Sequence, residues 1–400
     1  MAKGLAERGL AGRVVGMVGG IQTKYGGGIL NPLSWLIQSH NVQRLAAPLL
    51  TMCAIFALGC AMGTSEGDST TAGALPQWTF DSTMVFPRDG SLMRPEDGVA
   101  LADGRLIVTD QEHGLRLVEF DGASRPFGDL PAAGYAHRPP EHSGGANGIS
   151  LEPDGTHLLV SDVFGGAIYR VDVASGTTEK VYQHRYGINS AVRDSRGAIW
   201  FTQSTRNTPE AGEARMWESV EIPRPDGAVL RLEPGNGGMA EEAAVVVDSL
   251  LFANGLALDE TSGLLYVSET VGARVLRYRV DLDNGRLSER SVYVDSTAAD
   301  NLELDGEGRL WIASPLTNSI LVVHTRTGER RVPFRSLTPE QAEVGAEFLR
   351  RGEAGELRME LFTPALWAPL PGPITGVIVG PGQGPVYLTG LGNALVKLNR

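Results

Sequence analysis

The chain has 400 residues, of which 51 are Gly and two are Cys; 20% are charged and the formal charge is -12. Glycine well above the usual level of about 7%, in no strict period, together with so few cysteines, excludes a collagen, a coiled coil and a disulfide scaffold. The acidic balance excludes a nucleic-acid binder, which needs a basic face to replace phosphate counterions, and favours a small-molecule or cation partner.

Residues 1–59 read as a targeting segment. Lys3, Arg8, Arg13, Lys24 and Arg44 stand against a single acid, Glu7, and an uncharged apolar run follows from Leu45 to Gly59. That is the order of an export signal. The run ends at Ala57-Leu58-Gly59-Cys60, which is similar to the bacterial lipoprotein box, although that box prefers Leu three positions before the Cys and a small residue two before. Lipidation at Cys60, a retained signal anchor and conventional cleavage are the three readings. Each implies an exported protein of the cell envelope, periplasmic or an outer-membrane lipoprotein, with any membrane contact made through the N-terminal anchor or lipid. Residues 60–76 are small and polar, as suits a flexible tether. Removing the five basic residues and one acid of the leader leaves 30 basic and 46 acidic residues, so the remainder carries -16.

Residues 77–400 read as one repeat written six times. The units are 96–110, 146–162, 188–204, 253–269, 300–314 and 374–390, each an alternating strand, a Gly/Asp/Pro turn and a strand rich in Val, Ile, Leu, Tyr or Trp. Several run on into another strand, as in GAIYRVDV, 166–173, and ARVLRYRVD, 273–281. Three or four antiparallel strands per unit, repeated six times, predict an all-β chain folded as a six-bladed β-propeller acting as a monomer. Trp200 and Trp311 fall in matching second strands and are expected to pack between blades.

Two stretches break the pattern. Ser336–Leu361 contains Thr338-Pro339-Glu340-Gln341, a helix start with N-cap, Pro at the first position and Gln at the third, and Gly352 after Arg350-Arg351 reads as its stop. Pro209–Pro225 is a second insertion. For both, the alternatives are a plain connection and a lid over the central opening.

Aligning the six hairpins on their turns brings Asp97, Asn147, Asn189, Asn254, Asp300 and Thr375 to one position, with Glu96 adjoining Asp97. Innermost strands of a propeller line its channel, so equivalent positions converge on one mouth. Asn and Asp also serve turns locally, which explains one or two of these residues but not the set. Carboxylates and amide oxygens without Cys or His suit a hard cation, Ca²⁺ before Mg²⁺ or Zn²⁺; one site is expected, and other divalent ions are compatible with it.

Phe252-Ala253-Asn254-Gly255-Leu256-Ala257-Leu258 through Tyr266-Val267-Ser268-Glu269, then Asp300-Asn301-Leu302 through Leu310-Trp311-Ile312-Ala313, resembles the senescence marker protein/gluconolactonase family of calcium-dependent six-bladed hydrolases. Serum paraoxonase-like and strictosidine synthase-like proteins are relatives of that family. By matched position the resemblance implies a catalytic calcium held by Glu96, Asn189, Asn254 and Asp300, with Asn301 contributing as in paraoxonase-like members. Asn147 stands where paraoxonase has a catalytic His, and Ser190 where it has an Asp for a second calcium, so neither feature carries over. Strictosidine synthase-type proteins generally lack the complete calcium set, which points to the hydrolase branch.

The expected function is therefore calcium-dependent hydrolysis of a lactone or ester, a small-molecule substrate, with Asp300 as base and Glu96 as second choice. Loops entering the inner strands open on the ligand face, so Tyr135, His137, His142, His184 and Tyr186 are candidate entrance residues, with His137, His142, His184 and Asn147 as the substrate contacts. His113 and Glu112 are placed on the same face. Phe164 and Leu316 are expected as pocket walls, and His157 and His324 as structural. The alternatives are a non-catalytic propeller with a structural metal that binds a ligand or protein, and a strictosidine synthase-like activity.

Overall fold

The computed structural model describes residues 75–139, 144–235 and 242–400. The targeting segment, nearly all of the tether, both cysteines and His142 lie outside the described residues. Among the described residues no helix is long and apolar enough to cross a membrane.

Six four-stranded antiparallel sheets form the six blades. Blade one holds Gly98–Ala100, Leu106–Asp110, Gly114–Val118 and Ser124–Pro126, and blade two Ala146–Leu151, His157–Asp162, Ala167–Asp172 and Thr178–Gln183. Blade three runs Ala191–Arg193, Ile199–Gln203, Gly227–Leu232 and Ala244–Leu250. Blade four runs Ala253–Asp259, Leu264–Glu269, Arg274–Asp281 and Arg286–Val294, and blade five Leu302–Leu304, Arg309–Ser314, Ser319–His324 and Arg330–Arg335. Blade six takes three strands from the end of the chain, Ile374–Val379, Val386–Gly390 and Leu395–Leu398, and its outer strand from the beginning, Val85–Phe86. That strand pairs Val85 with Val396 and Phe86 with Leu395. The ring is closed by hydrogen bonds between its first and last strands in the sequence, a closure the repeat reading did not contain.

The core lies between blades. Trp311, Ile320 and Val322 of blade five pack with Val377, Leu388 and Val396 of blade six, and Trp200 and Val229 of blade three pack with Leu256, Val267 and Leu276 of blade four. Each such side chain, fully buried, contributes about 1.5–3 kcal/mol. Both tryptophans are wholly buried, and their Nε1 donate to Asp194 Oδ2 at 2.9 Å and Asp305 Oδ2 at 2.7 Å; the expected inter-blade role is what the structure shows.

The two insertions are helical. Helix α1 spans Gly212–Glu221. Helix α2 spans Pro339–Ala354, between blades five and six, with Pro339 in its first turn and a full capping box between Thr338 and Gln341. Its stop is Gly355, in the left-handed region at φ 69°, rather than Gly352. Gly352 lies inside the helix and has another use: a Cβ there would overlap Arg358 Nη1.

Candidate active site

The inner strands deliver the ring in two alternating ways. In blades two, four and six the ring residue is followed by Gly at a bulge, with register shifts at Ala146/Ile149, Ala253/Leu256 and Ile374/Gly376. In blades one, three and five the ring residue precedes a three-residue inner strand. The two types interlock. A Cβ on Gly148 would come within 2.7 Å of Asn189 O, on Gly255 within 2.6 Å of Asp300 O, and on Gly376 within 3.3 Å of Glu96 O. Hydroxyls on the second strands of the even blades bond the same carbonyls: Ser161 to Asn189 O at 2.6 Å, Ser268 to Asp300 O at 2.6 Å and Thr389 to Glu96 O at 2.7 Å. These glycines are required by close backbone approach, and the ring is fixed through its main chain, which leaves its side chains for the channel.

This pattern corrects one ring position. In blade one the member is Glu96, not Asp97. Asp97 turns aside to accept from Gly98 N at 2.9 Å and Ile149 N at 3.1 Å, while Glu96 lines a cleft with Asn147, Asn189, Asn254, Asp300 and Thr375.

Within the ring, Asn301 Nδ2 donates to both Glu96 carboxylate oxygens at 3.1 Å. Asn147 Nδ2 donates to Asn189 Oδ1 at 3.2 Å. Asn254 Oδ1, Asp300 Oδ1 and Asn301 Oδ1 are buried and have no partner among the described residues. Buried polar atoms are almost always paired, so three unpaired oxygens beside a buried carboxylate fit a cation. Burial, and then the neighbouring Asp300 and Asp97, push Glu96 well above the usual carboxylate range. Burial pushes Asp300 up to about 8, against a lowering hydrogen bond from Asn254, and Asp97 up to about 7. Such acids cannot all ionise without a counter-charge. Glu96, Asn189, Asn254, Asp300 and Asn301 are the donors that would hold a divalent ion, and an all-oxygen set of this kind suits Ca²⁺.

The insertions close over this floor. Met216, Trp217 and Val220 of α1 and Phe348 and Leu349 of α2 line the cleft from above, with Arg358 and Phe362 beyond α2. The space open to water is about 80 Å³, small because the two helices meet: Val220 packs with Phe348 and Leu316, and Arg358 Nε donates to Val220 O at 2.7 Å. Of the two readings for the insertions, the lid is the one that matches this placement. Arg94 joins α1 to blade one through Glu213 at 3.2 Å. Arg94 at φ 50° and Phe252 at φ 61° both line the cleft in the left-handed region, each two residues before a ring residue, and non-glycine strain of this kind gathers at functional sites.

Leu316 lines the cleft, whereas Phe164 is buried beneath Arg94, whose guanidinium lies 5.7 Å from its ring. His137 accepts from Gly144 N at 3.1 Å. His184 is buried against Phe201 and bonds Gln203 Oε1 at 3.1 Å through Nε2, in the packing of blades two and three. Tyr135 gives its hydroxyl to Gln111 O at 2.5 Å. His113 bonds Asp110 Oδ1 at 3.0 Å. None of these lines the cleft. His157 lies 2.7 Å from Asp154, and His324 accepts from the Arg326 and Thr327 amides in a turn. The sequence reading missed Arg94, Phe252 and Arg358; the one signal for the last was a glycine, Gly352, inside a helical pattern.

A second group could also reach one ion. Glu152, Asp154 and His157 have ligand atoms within 4.8 Å of one another.

Residues 177–338 match the family model described as SMP-30/Gluconolactonase/LRE-like region, a span that includes Asn189, Asn254, Asp300 and Asn301. Protein strictosidine synthase-like 7 of Arabidopsis thaliana is 24% identical over 330 residues, covering 79% of this chain and 83% of the relative. Adipocyte plasma membrane-associated protein of Gallus gallus is 26% identical over 229 residues, 50% of this chain and 53% of the relative. Among solved structures, a gluconolactonase from Xanthomonas campestris superposes with a TM-score of 0.52 at 19% identity, covering 82% of this chain and 95% of its own. A putative gluconolactonase gives 0.51, also at 19% identity, with 82% and 97% covered. At that identity the likeness shows the fold.

Proposed function

We propose that this propeller, with its SMP-30/gluconolactonase/LRE-like region at residues 177–338, is a calcium-dependent hydrolase of a small lactone or ester. The observation that carries this reading is the set of unpartnered buried oxygens of Asn254, Asp300 and Asn301 beside Glu96, on the floor of a roofed cleft. A bound divalent ion would act as a Lewis acid on the acyl oxygen and stabilise the oxyanion that develops there.

The chain supplies the rest. Asp300 takes a proton from water at its carboxylate, acting as general base. The water oxygen bonds to the acyl carbon, the acyl carbon–oxygen bond breaks, and Asp300 returns the proton to the leaving alkoxide. Asn147 orients Asn189 through the Nδ2 bond to its Oδ1. The roof of α1 and α2 excludes bulk water, which strengthens every electrostatic interaction beneath it. The long alignment with a strictosidine synthase-like protein favours, as second reading, a related activity that survives calcium removal.

A panel of aldonolactones, alkyl lactones and aryl esters, assayed with calcium and with chelator, tests the proposal. Calcium-dependent turnover that Asp300→Ala lowers by about 10²–10⁴-fold is expected. Equal, negligible rates for wild type and Asp300→Ala on every substrate would remove the hydrolase reading.

A further inference from the structure

Arg358 is 1% exposed and sits at the roof of the cleft, against the ring of Phe348 at 4.3 Å. Its guanidinium ties the two insertions together: Nε donates to Val220 O at 2.7 Å and Nη1 to Phe348 O at 3.3 Å. Gly352 exists within α2 to admit it. Two of the three guanidinium nitrogens are thus spent on neutral carbonyls. The third, Nη2, is buried with no partner among the described residues. The acid whose field reaches it, Glu221, spends Oε1 on the backbone N–H groups of Arg358 and Met359. The other arginine of the cleft, Arg94, is already paired with Glu213.

A buried guanidinium that hydrogen-bonds only neutral carbonyls, with its nearest acid turned to backbone amides, is costly to keep charged. Desolvation even draws Arg358 down to about 10. Around it the walls are apolar: Met216, Trp217, Val220, Leu316, Phe362. A polyhydroxylated sugar lactone would lose its water against these walls without replacement hydrogen bonds. A compact aliphatic ring carrying one anionic group would not.

We propose that Arg358 Nη2 is the anchor for a carboxylate on the substrate, so that the preferred substrates are small, otherwise apolar lactones or esters bearing one carboxylate away from the reacting acyl group. This rests on the hydrolase reading for the chemistry but not for the binding. The carboxylate is held at the roof by a charge-assisted hydrogen bond while the acyl group faces the ring below. Arg358 is a positioning residue, since it does not touch the reacting atoms.

The test compares a γ-butyrolactone carrying a ring carboxylate with its isosteric carboxamide, on calcium-loaded full-length protein, and reads the ratio of their kcat/KM values. Wild type is expected to favour the carboxylate by roughly tenfold or more, the scale of one buried charge-assisted hydrogen bond, and Arg358→Met to bring the ratio to about one. Should Arg358→Met fail to fold by thermal melt, Arg358→Gln, which keeps two donors for the Val220 and Phe348 carbonyls without the charge, takes its place. Cleavage of both lactones without preference, or a ratio that survives the variant, overturns the anchor and leaves the hydrolase. If neither lactone is cut, calorimetry with the corresponding lactams decides separately. A carboxylate lactam that binds wild type but not the variant, where the carboxamide binds neither, upholds the anchor as the hydrolase reading falls; equal binding of both lactams overturns it.

Discussion

The molecule carries two groups of acids that could each reach a cation, one at the channel mouth and one on the rim of blades two and three. In the rim group, Glu152 Oε2 lies 2.9 Å from Arg170 and Oε1 2.8 Å from Arg193, and Asp154 lies 3.3 Å from Arg170 and 2.7 Å from His157. Its charge is already balanced by side chains brought from neighbouring strands. At the mouth, Glu96 and Asp300 are buried with half-buried Asp97 beside them, and Arg94, the cation whose field reaches Glu96, is itself paired with Glu213. Proximity of carboxylates is therefore a poor guide to a metal; what separates the two groups is whether their oxygens are spent.

The largest expected effect that would sharpen this contrast is Asp300→Ala, which should lower kcat/KM on any substrate found by about 10²–10⁴-fold and reduce calcium affinity measured by calorimetry. Asp154→Ala should leave both unchanged; loss of calcium binding on that substitution would reverse the assignment. Next comes Gly255→Ala, whose Cβ would press on Asp300 O and Asn301 Cα at 2.6 Å and should cost about 1–3 kcal/mol in denaturant unfolding, along with calcium affinity. Gly155→Ala, in open space on the surface at φ 69°, should cost about 1 kcal/mol of strain and leave calcium binding intact.

Calcium removal should then show a pH dependence of definite sign. Asp97 and Asp300 have folded-state values raised to about 7 and about 8, so the metal-free protein holds protons that the unfolded chain, titrating near 4, has released. Their contribution is fully present below about pH 4 and is lost as pH rises through 8. Chelator should therefore lower Tm more at pH 8 than at pH 6. An equal drop at both values would place the ion elsewhere. The smallest effect is expected for Glu152→Gln, which leaves partly exposed Arg170 and Arg193 to water and should cost on the order of 1 kcal/mol with calcium binding intact.

How much of this was legible in the sequence follows from range. Hairpins such as 253–269 and 300–314 announce themselves because alternation and a Gly turn are local, and five ring members are found by aligning them. The sixth, Glu96 rather than Asp97, depends on whether a blade starts with a bulge or with a short straight strand, which the neighbouring blade's glycine and hydroxyl decide. The strand Val85–Phe86 is too short to show a period, and its place is set by the free edge of Leu395–Leu398. Thr338, Pro339 and Gln341 marked the start of α2 from local capping, but its end moved from Gly352 to Gly355 because Gly352 answers to Arg358, a side chain beyond the helix.

The six repeated hairpins, each turned by glycine, thus determined by themselves a ring of six blades with oxygen donors at one mouth, since each blade repeats one local rule. Only the tertiary structure decided that the two irregular insertions meet above that mouth, that the rim acids are matched by arginines, and that Arg358 is left with one buried nitrogen to offer. Those outcomes depend on contacts between segments remote from one another, 138 residues apart for Arg358 with Val220 and 41 for Arg193 with Glu152, where no local pattern carries information.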